Sequence, residues 1–182
     1  MTTARMAPAE PPFPQMIQET LDRLMPPGIP PLALFTTLAR GERAFTRFMA
    51  AGLLDKGPVG LRERELMILR TCARCRSEYE WGVHVAFFGA KVQLTQTEID
   101  ATLARTLDAS VFTPRERLIL RLADALHDTS TVDDALWSEL ERELSAEQIL
   151  ELFLLAGFYH TVAYLTNGLA IPLEPFAARF PA

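Results

Sequence analysis

Glu80 and His84 sit four residues apart in the run Ser77-Glu78-Tyr79-Glu80-Trp81-Gly82-Val83-His84. On a helix that spacing puts both side chains on one face, close enough for a carboxylate to orient an imidazole or share its proton. Such a pair can do general acid–base work. Ser77 followed three residues later by Glu80 has the form of a capping box, so a helix is predicted to start here. Its free backbone donors and positive dipole end favour an anionic substrate or a developing enolate. Tyr79, in the first turn, offers a phenol as donor.

A second carboxylate belongs with this set. Leu61, Glu65, Ile68, Leu69 and Cys72 recur at three and four residues, so Glu65 lies on the apolar face of the preceding helix. A carboxylate there costs several kcal/mol, on the order of a buried polar group, unless it finds a partner or lines a cavity. Purely structural roles compete for the others. Glu80 fits a capping box alone, His84 a core histidine satisfied by one hydrogen bond, and Tyr79 and Trp81 core or interface aromatics.

Cys72-Ala73-Arg74-Cys75 is the rival signal, a Cys-x-x-Cys pair open to redox chemistry. It falls near the C-terminal end of its predicted helix, where the dipole opposes a thiolate, although Arg74 and Arg76 partly compensate. Two ordinary buried cysteines are the alternative. A zinc site would need further ligands nearby in space, and the chain has only three histidines, so no metal is expected. His127 reads as a structural imidazole near a helix C-terminus. His160, Tyr164 and Asn167 are second-tier pocket candidates with core packing as the competing reading.

The elements that must position these groups are helical. Apolar spacing and end signals predict helices over about 16–25, 32–39, 42–53, 61–76, 77–92, 97–106, 114–128, 132–143 and 146–167. Thr113 before Pro114, Thr131 before two aspartates, and Ser145 with Gln148 mark starts, and Gly168 a stop. No alternating run argues for a sheet, so the fold class is all-α, a single-domain helical bundle over residues 15–182 behind a Pro-rich arm at 1–14. Arg62-Glu63-Arg64 is echoed by Arg115-Glu116-Arg117 ahead of similar aliphatic runs, which marks either two related hairpins or coincidence.

Composition narrows the function classes. A net charge of −5 supplies no basic field for nucleic acid or an anionic membrane surface, although 16 of the 18 cationic residues are Arg. The longest uninterrupted apolar run, Leu152 to Phe158, is far shorter than the ~20 residues a bilayer crossing needs. The N-terminus lacks the apolar segment of a secretory signal, so a cytoplasmic protein is expected.

The stretch from Arg62-Glu63-Arg64-Glu65 to Glu78-Tyr79-Glu80-Trp81-x-x-His84 resembles the carboxymuconolactone decarboxylase and alkylhydroperoxidase-D-like superfamily, most clearly over residues 60–105. Looser support comes from Gly157-Phe158-Tyr159, Val162, Asn167 and Pro172. The resemblance implies an all-helical homo-oligomer, a dimer, trimer or hexamer, with its active site near subunit contacts. In the peroxidase branch a Glu is followed twelve residues later by Cys-x-x-Cys and then, four residues on, by a His. Here Glu65 and His84 hold the outer positions, but Ser77 and Glu80 stand where the thiols belong and Tyr79 replaces an intervening His. Cys72 and Cys75 lie five residues too early to take over.

What remains resembles the decarboxylase-like branch, which implies acid–base chemistry without a dissociable cofactor on a small, anionic, carboxylated or lactone substrate. In that reading His84 shuttles the proton, Glu65 and Glu80 orient or protonate it, and Tyr79 donates to an oxyanion. Arg76 holds a substrate carboxylate, with Ser77 and Trp81 beside it. A thiol peroxidase using Cys72 and Cys75, and a non-catalytic ligand-binding oligomer, are the alternatives.

Overall fold

The computed structural model describes residues 4–108 and 110–181, so the first three residues of the Pro-rich arm and the final residue of the domain lie outside it. Among the described residues there are nine helices and no strand. They are α1 Gln15–Leu24, α2 Ala33–Leu38, α3 Glu42–Ala51, α4 Leu61–Arg74, α5 Glu78–Phe88, α6 Gln96–Ala101, α7 Pro114–Thr129, α8 Asp134–Glu143 and α9 Ala146–Gly168. The all-α expectation is met, and the largest departure is α6, which ends five residues early. Its start is set by a capping box between Thr95 and Glu98. Beyond its end, Arg70 takes the Thr102 and Ala104 carbonyls at 2.9 and 2.6 Å and draws the chain away from helix.

α4 is the axis of the molecule. Every residue from Arg64 to Cys72 is buried, because α4 is covered by α5, α7 and α9. Arg62 pairs with Glu116 at 2.6 Å, Arg70 with Asp124 at 2.7 Å, and Arg74 with Asp128, always 54 residues apart. A constant offset along two helices means that α4 and α7 run parallel, in register. Arg115 returns the first pairing by binding Glu63 at 2.5 Å, so the two Arg-Glu-Arg starts clasp each other reciprocally. That is the structural content of the sequence echo.

α4 also runs parallel to α9. Gln148 binds the Pro58 carbonyl at the start, and Asn167 binds the Cys75 carbonyl at 2.9 Å near the end. α9 is 23 residues long and apolar enough to cross a membrane by length and composition, which the longest-run criterion does not register. Its buried side, Leu152, Leu155, Ala156, Tyr159, Val162 and Ala163, is core, whereas Leu150, Leu154 and Tyr164 face outward.

The turn from α4 into α5 is a Schellman motif. Ser77 N–H reaches the Cys72 carbonyl at 2.8 Å and Arg76 N–H the Ala73 carbonyl at 3.0 Å, with Arg76 left-handed at φ 54°. This break folds α5 back antiparallel on α4. Gly82 on α5 lets the C-terminal segment cross closely: a Cβ there would lie 2.1 Å from the Ala178 carbonyl oxygen. That segment seals the back of α5, with Phe180 edge-on to Trp81 at 5.3 Å. The N-terminal arm also lies against the body, Arg5 N–H bonding the Leu169 carbonyl and Ala9 N–H the Thr36 carbonyl.

Candidate acid–base site

Glu65 leaves α4 toward α5, where its Oε2 meets His84 Nδ1 at 2.6 Å. Both residues are almost fully buried, at 1% and 3% exposure, so neither charge can be left to solvent. Arg64 Nε lies 3.3 Å from the other Glu65 oxygen, and its Nη1 holds the Leu54 carbonyl at 2.8 Å. On the far side of the imidazole, His84 Nε2 has two neighbours: Glu80 Oε1 at 3.3 Å, one turn back on α5, and the Tyr159 hydroxyl of α9 at 3.1 Å. Two carboxylates, one guanidinium and one imidazolium balance the charge, which is what makes such a buried group tolerable.

Burial alone would lower the His84 pKa, but hydrogen bonds and charge from Glu65 and Glu80 outweigh it and raise the value to about 9. At neutral pH the ring is therefore an imidazolium that donates from Nδ1 to Glu65. Burial, with the charges of Glu80, Cys72 and Glu65, holds the Tyr159 phenol well above its usual range, so it stays protonated. A phenol can accept from the imidazolium and donate to the neutral ring, so Tyr159 serves His84 in both protonation states.

Glu80 has one oxygen without work. Its Oε2 is buried and has no hydrogen-bond partner among the described residues, a costly arrangement in a protein interior. Glu80 and His84 together line the base of a cavity of about 210 Å³ whose walls are Leu32, Phe35, Val83, Phe87 and Phe88. Leu24, Met25, Pro26 and Leu54 form the rim with Lys91, whose ammonium lies over the Phe88 ring. The arrangement is a proton donor and acceptor set under an apolar chamber.

The structure thus unites Glu65, Glu80 and His84 and separates the other expected members. Ser77 and Glu80 do not form a capping box: the Ser77 hydroxyl is fully buried and bonds Thr166 Oγ1 at 2.9 Å, while Glu80 turns to His84. Tyr79 is directed elsewhere, its hydroxyl donating to Glu174 at 2.6 Å and accepting from Leu34 N–H at 3.0 Å. It anchors α2 and the C-terminal segment to α5, so it has no donor left for an oxyanion. Trp81 is buried with its indole N–H on Thr102 Oγ1 at 3.0 Å, a core residue and not a substrate contact. Arg76 lines a different groove, with His127 and His160, and cannot hold a substrate carboxylate in this cavity. The cap expected at Thr131 is made by Asp133, whose side chain accepts from Leu136 N–H.

Tyr159 is the member of this cluster that spacing does not reveal. Its only trace was its place in the Gly157-Phe158-Tyr159 tail, because the contact with His84 joins residues 75 apart.

The cysteines are poorly prepared for thiolate chemistry. Cys72 has no exposure and does not line the cavity; burial, then the nearby charges of Glu80, Cys75 and Glu65, raises its pKa well above the usual thiol value. Cys75 is pushed up to about 11 by burial, against the opposing pull of Arg74. Both are free thiols. A peroxide-reducing thiol needs the opposite trend.

An all-helical bundle with a buried carboxylate and imidazole facing across an α4–α5 hairpin is the class that fold and site define. Residues 40–125 match the family model of the Carboxymuconolactone decarboxylase family, and this match together with the fold supports placement in the carboxymuconolactone decarboxylase and alkylhydroperoxidase-D-like superfamily. Among solved structures, an uncharacterized peroxidase-related protein from Silicibacter sp. TM1040 superposes with a TM-score of 0.80 over 100% of both chains at 16% identity. An alkylhydroperoxidase AhpD core protein from Ralstonia eutropha JMP134, also peroxidase-related and uncharacterized, gives 0.75 over 93% of both chains at 20% identity. The debrominase Bmp8 in complex with 2,3,4-tribromopyrrole gives 0.70 over 96% of this chain and 94% of its own, at 14% identity. At these identities the likeness is one of fold. No curated protein matches the chain by sequence.

Proposed function

We propose that this protein is a cofactor-independent acid–base enzyme of lyase type, acting on a small molecule with an apolar body and one carboxylate or lactone carbonyl. The unpartnered Glu80 oxygen beside the His84 imidazolium, at the base of an apolar cavity, carries the proposal. A substrate O–H, N–H or acidic C–H satisfies that oxygen. Glu80 takes the proton, the His84 imidazolium, held by Glu65, gives its Nε2 proton to carbon, and the neutral ring then regains a proton from Glu80. In a decarboxylation the C–CO2 bond breaks, the electron pair is held as an enolate by an adjacent carbonyl, the His84 imidazolium protonates the carbon, and solvent restores the His84 proton. Lys91 at the rim replaces Arg76 as the partner for an anionic substituent. The cavity of about 210 Å³ fits a molecule of one ring, and Bmp8 with its tribromopyrrole supports the view that this fold accommodates such a ring.

A panel of β-keto acids and carboxylated lactones, followed by CO2 release and by solvent-deuterium incorporation, tests the assignment. Turnover that falls in both Glu80→Gln and His84→Gln is expected. Activity unchanged in both variants, or dependent instead on Cys72 and Cys75, would overturn it. We also propose a homo-oligomer whose contact includes the outer face of α9, since Leu150 and Leu154, 65% and 63% exposed, lie one turn apart and Leu150 shares a groove with the half-exposed Trp137 of α8. Light scattering on wild type and Leu154→Glu tests it: a monomeric wild type would refute it.

A further inference from the structure

The parallel course of α4, α7 and α9 brings three metal-ligating side chains together at one end of the bundle, away from the acid–base site. Cys75 is the residue at which α4 ends, His127 lies in the last turn of α7, and His160 projects from α9. Cys75 Sγ is 3.7 Å from His127 Nδ1, and His127 Nδ1 is 3.2 Å from His160 Nε2. All three donor atoms fall within 4.8 Å of one another. Zinc–sulfur and zinc–nitrogen bonds of about 2.3 and 2.05 Å at tetrahedral angles give edges of about 3.6 Å (S to N) and 3.3 Å (N to N). The two edges that meet at His127 Nδ1 have these lengths, and the third, from Cys75 Sγ to His160 Nε2, lies within 4.8 Å, so a small inward shift of the side chains completes the three corners.

The surroundings fit the same use. His160 Nδ1 lies 2.8 Å from the Ala156 carbonyl, which fixes the proton on Nδ1 and leaves the Nε2 lone pair pointing at the cluster. A backbone carbonyl on the distal nitrogen is how metal-binding histidines are oriented. Asn167 grips the Cys75 carbonyl at 2.9 Å, and Arg76 turns left-handed at once, so the thiol is held at a fixed exit from α4. Arg74 beside it is balanced by Asp124 at 3.5 Å and by Asp128. All three candidate ligands are half-buried, and they open onto a groove of about 490 Å³ that Arg76, Ser130 and Tyr164 also line.

We propose that Cys75, His127 and His160 bind one zinc-like divalent transition metal, with the fourth coordination position open to the groove. One thiolate and two imidazoles select a borderline-soft ion over magnesium or calcium. On binding, the Cys75 proton passes to solvent, and a His127 proton on Nδ1 moves to Nε2 so that its lone pair joins the other two. Water or an anion at the fourth position shares the groove with Arg76.

The chelator-treated full-length protein, titrated with Zn2+ and with Co2+ against a chromophoric competitor, provides the test. One equivalent is expected, and Co2+ should give intense visible bands of a tetrahedral ion with a near-ultraviolet thiolate band. Cys75→Ser and His160→Ala should each weaken binding by more than the roughly 10–100-fold that losing an outer-shell partner costs, whereas Cys72→Ala should bind as wild type. The Co2+ spectrum of the unaltered protein keeps the test valid if a variant misfolds. A weak octahedral spectrum, less than one equivalent bound, or equal binding by Cys75→Ser and His160→Ala would overturn the proposal.

Discussion

Two histidine clusters meet α9 at consecutive residues, Tyr159 and His160, whose side chains leave the helix about 100° apart, and they differ in nearly every physical respect. Around His84, contacted through Tyr159, burial is almost complete and two carboxylates confront an imidazolium and a guanidinium. Around His160 the groups are half-buried, none of the three candidate ligands is a carboxylate, and a thiol and two imidazoles turn their donor atoms toward one point. Burial opposes the charged imidazole in both. At His84 two carboxylates reverse the effect, whereas His127 is held below its usual value by burial, by His160 and by Arg74. Neighbouring charge, more than burial, decides whether a histidine in this protein is poised to move protons or to keep a lone pair free.

The comparison breaks most visibly at Glu65. Glu65→Ala leaves the His84 and Arg64 charges buried without their carboxylate and should cost about 3–5 kcal/mol in urea unfolding. A variant as stable as wild type would show that the first cluster is not held by ion pairing. Next in size is Glu80→Gln, which keeps shape and removes the free base: turnover on any substrate found should fall by roughly 10²–10⁴, while stability changes by about 1 kcal/mol or less. A stability loss comparable to that of Glu65→Ala would make Glu80 a structural partner.

Proton linkage sharpens the contrast. The folded-state pKa of His84, about 9, exceeds its ordinary 6.5, so the folded protein binds the proton more tightly. The stability this brings is complete below about pH 6.5 and is lost as pH rises toward 9, by at most roughly 3 kcal/mol. Urea midpoints measured from pH 6 to 9.5 should therefore fall with pH, and His84→Gln should flatten the decline. A wild-type midpoint that rises across this window would contradict the ion-paired assignment. The smallest effect is expected at the second cluster, where metal-free His127→Ala should lie within about 1 kcal/mol of wild type. Added Zn2+ should raise the melting temperature of wild type only. An equal rise in the variant would remove His127 from the ligand set.

Much of this architecture is legible in the chain itself. Helical spacing and the boxes at Thr113 and Ser145 place α7 and α9 within a residue or two, because both signals are local and each cap is completed within one turn. Glu65 announces itself as a carboxylate on an apolar stripe, and Glu80 and His84 as neighbours one turn apart. Local spacing misleads where a partner comes from farther away. Ser77 looks like a capping serine until its hydroxyl pairs with Thr166, 89 residues on, and Tyr79 looks like an oxyanion donor until its hydroxyl donates to Glu174, 95 residues on.

The sequence by itself determined the helices, the break between α4 and α5 and the inward-facing Glu65, since backbone periodicity and i, i+4 geometry operate over a few residues. Only the tertiary structure decided what each polar side chain does. The parallel packing of α4 between α7 and α9 brings Tyr159 to His84 and joins Cys75, His127 and His160, residues up to 85 positions apart. No local rule encodes such a meeting, because it follows from how three long apolar faces pack, and the polar groups at their borders pair with whatever that packing brings near.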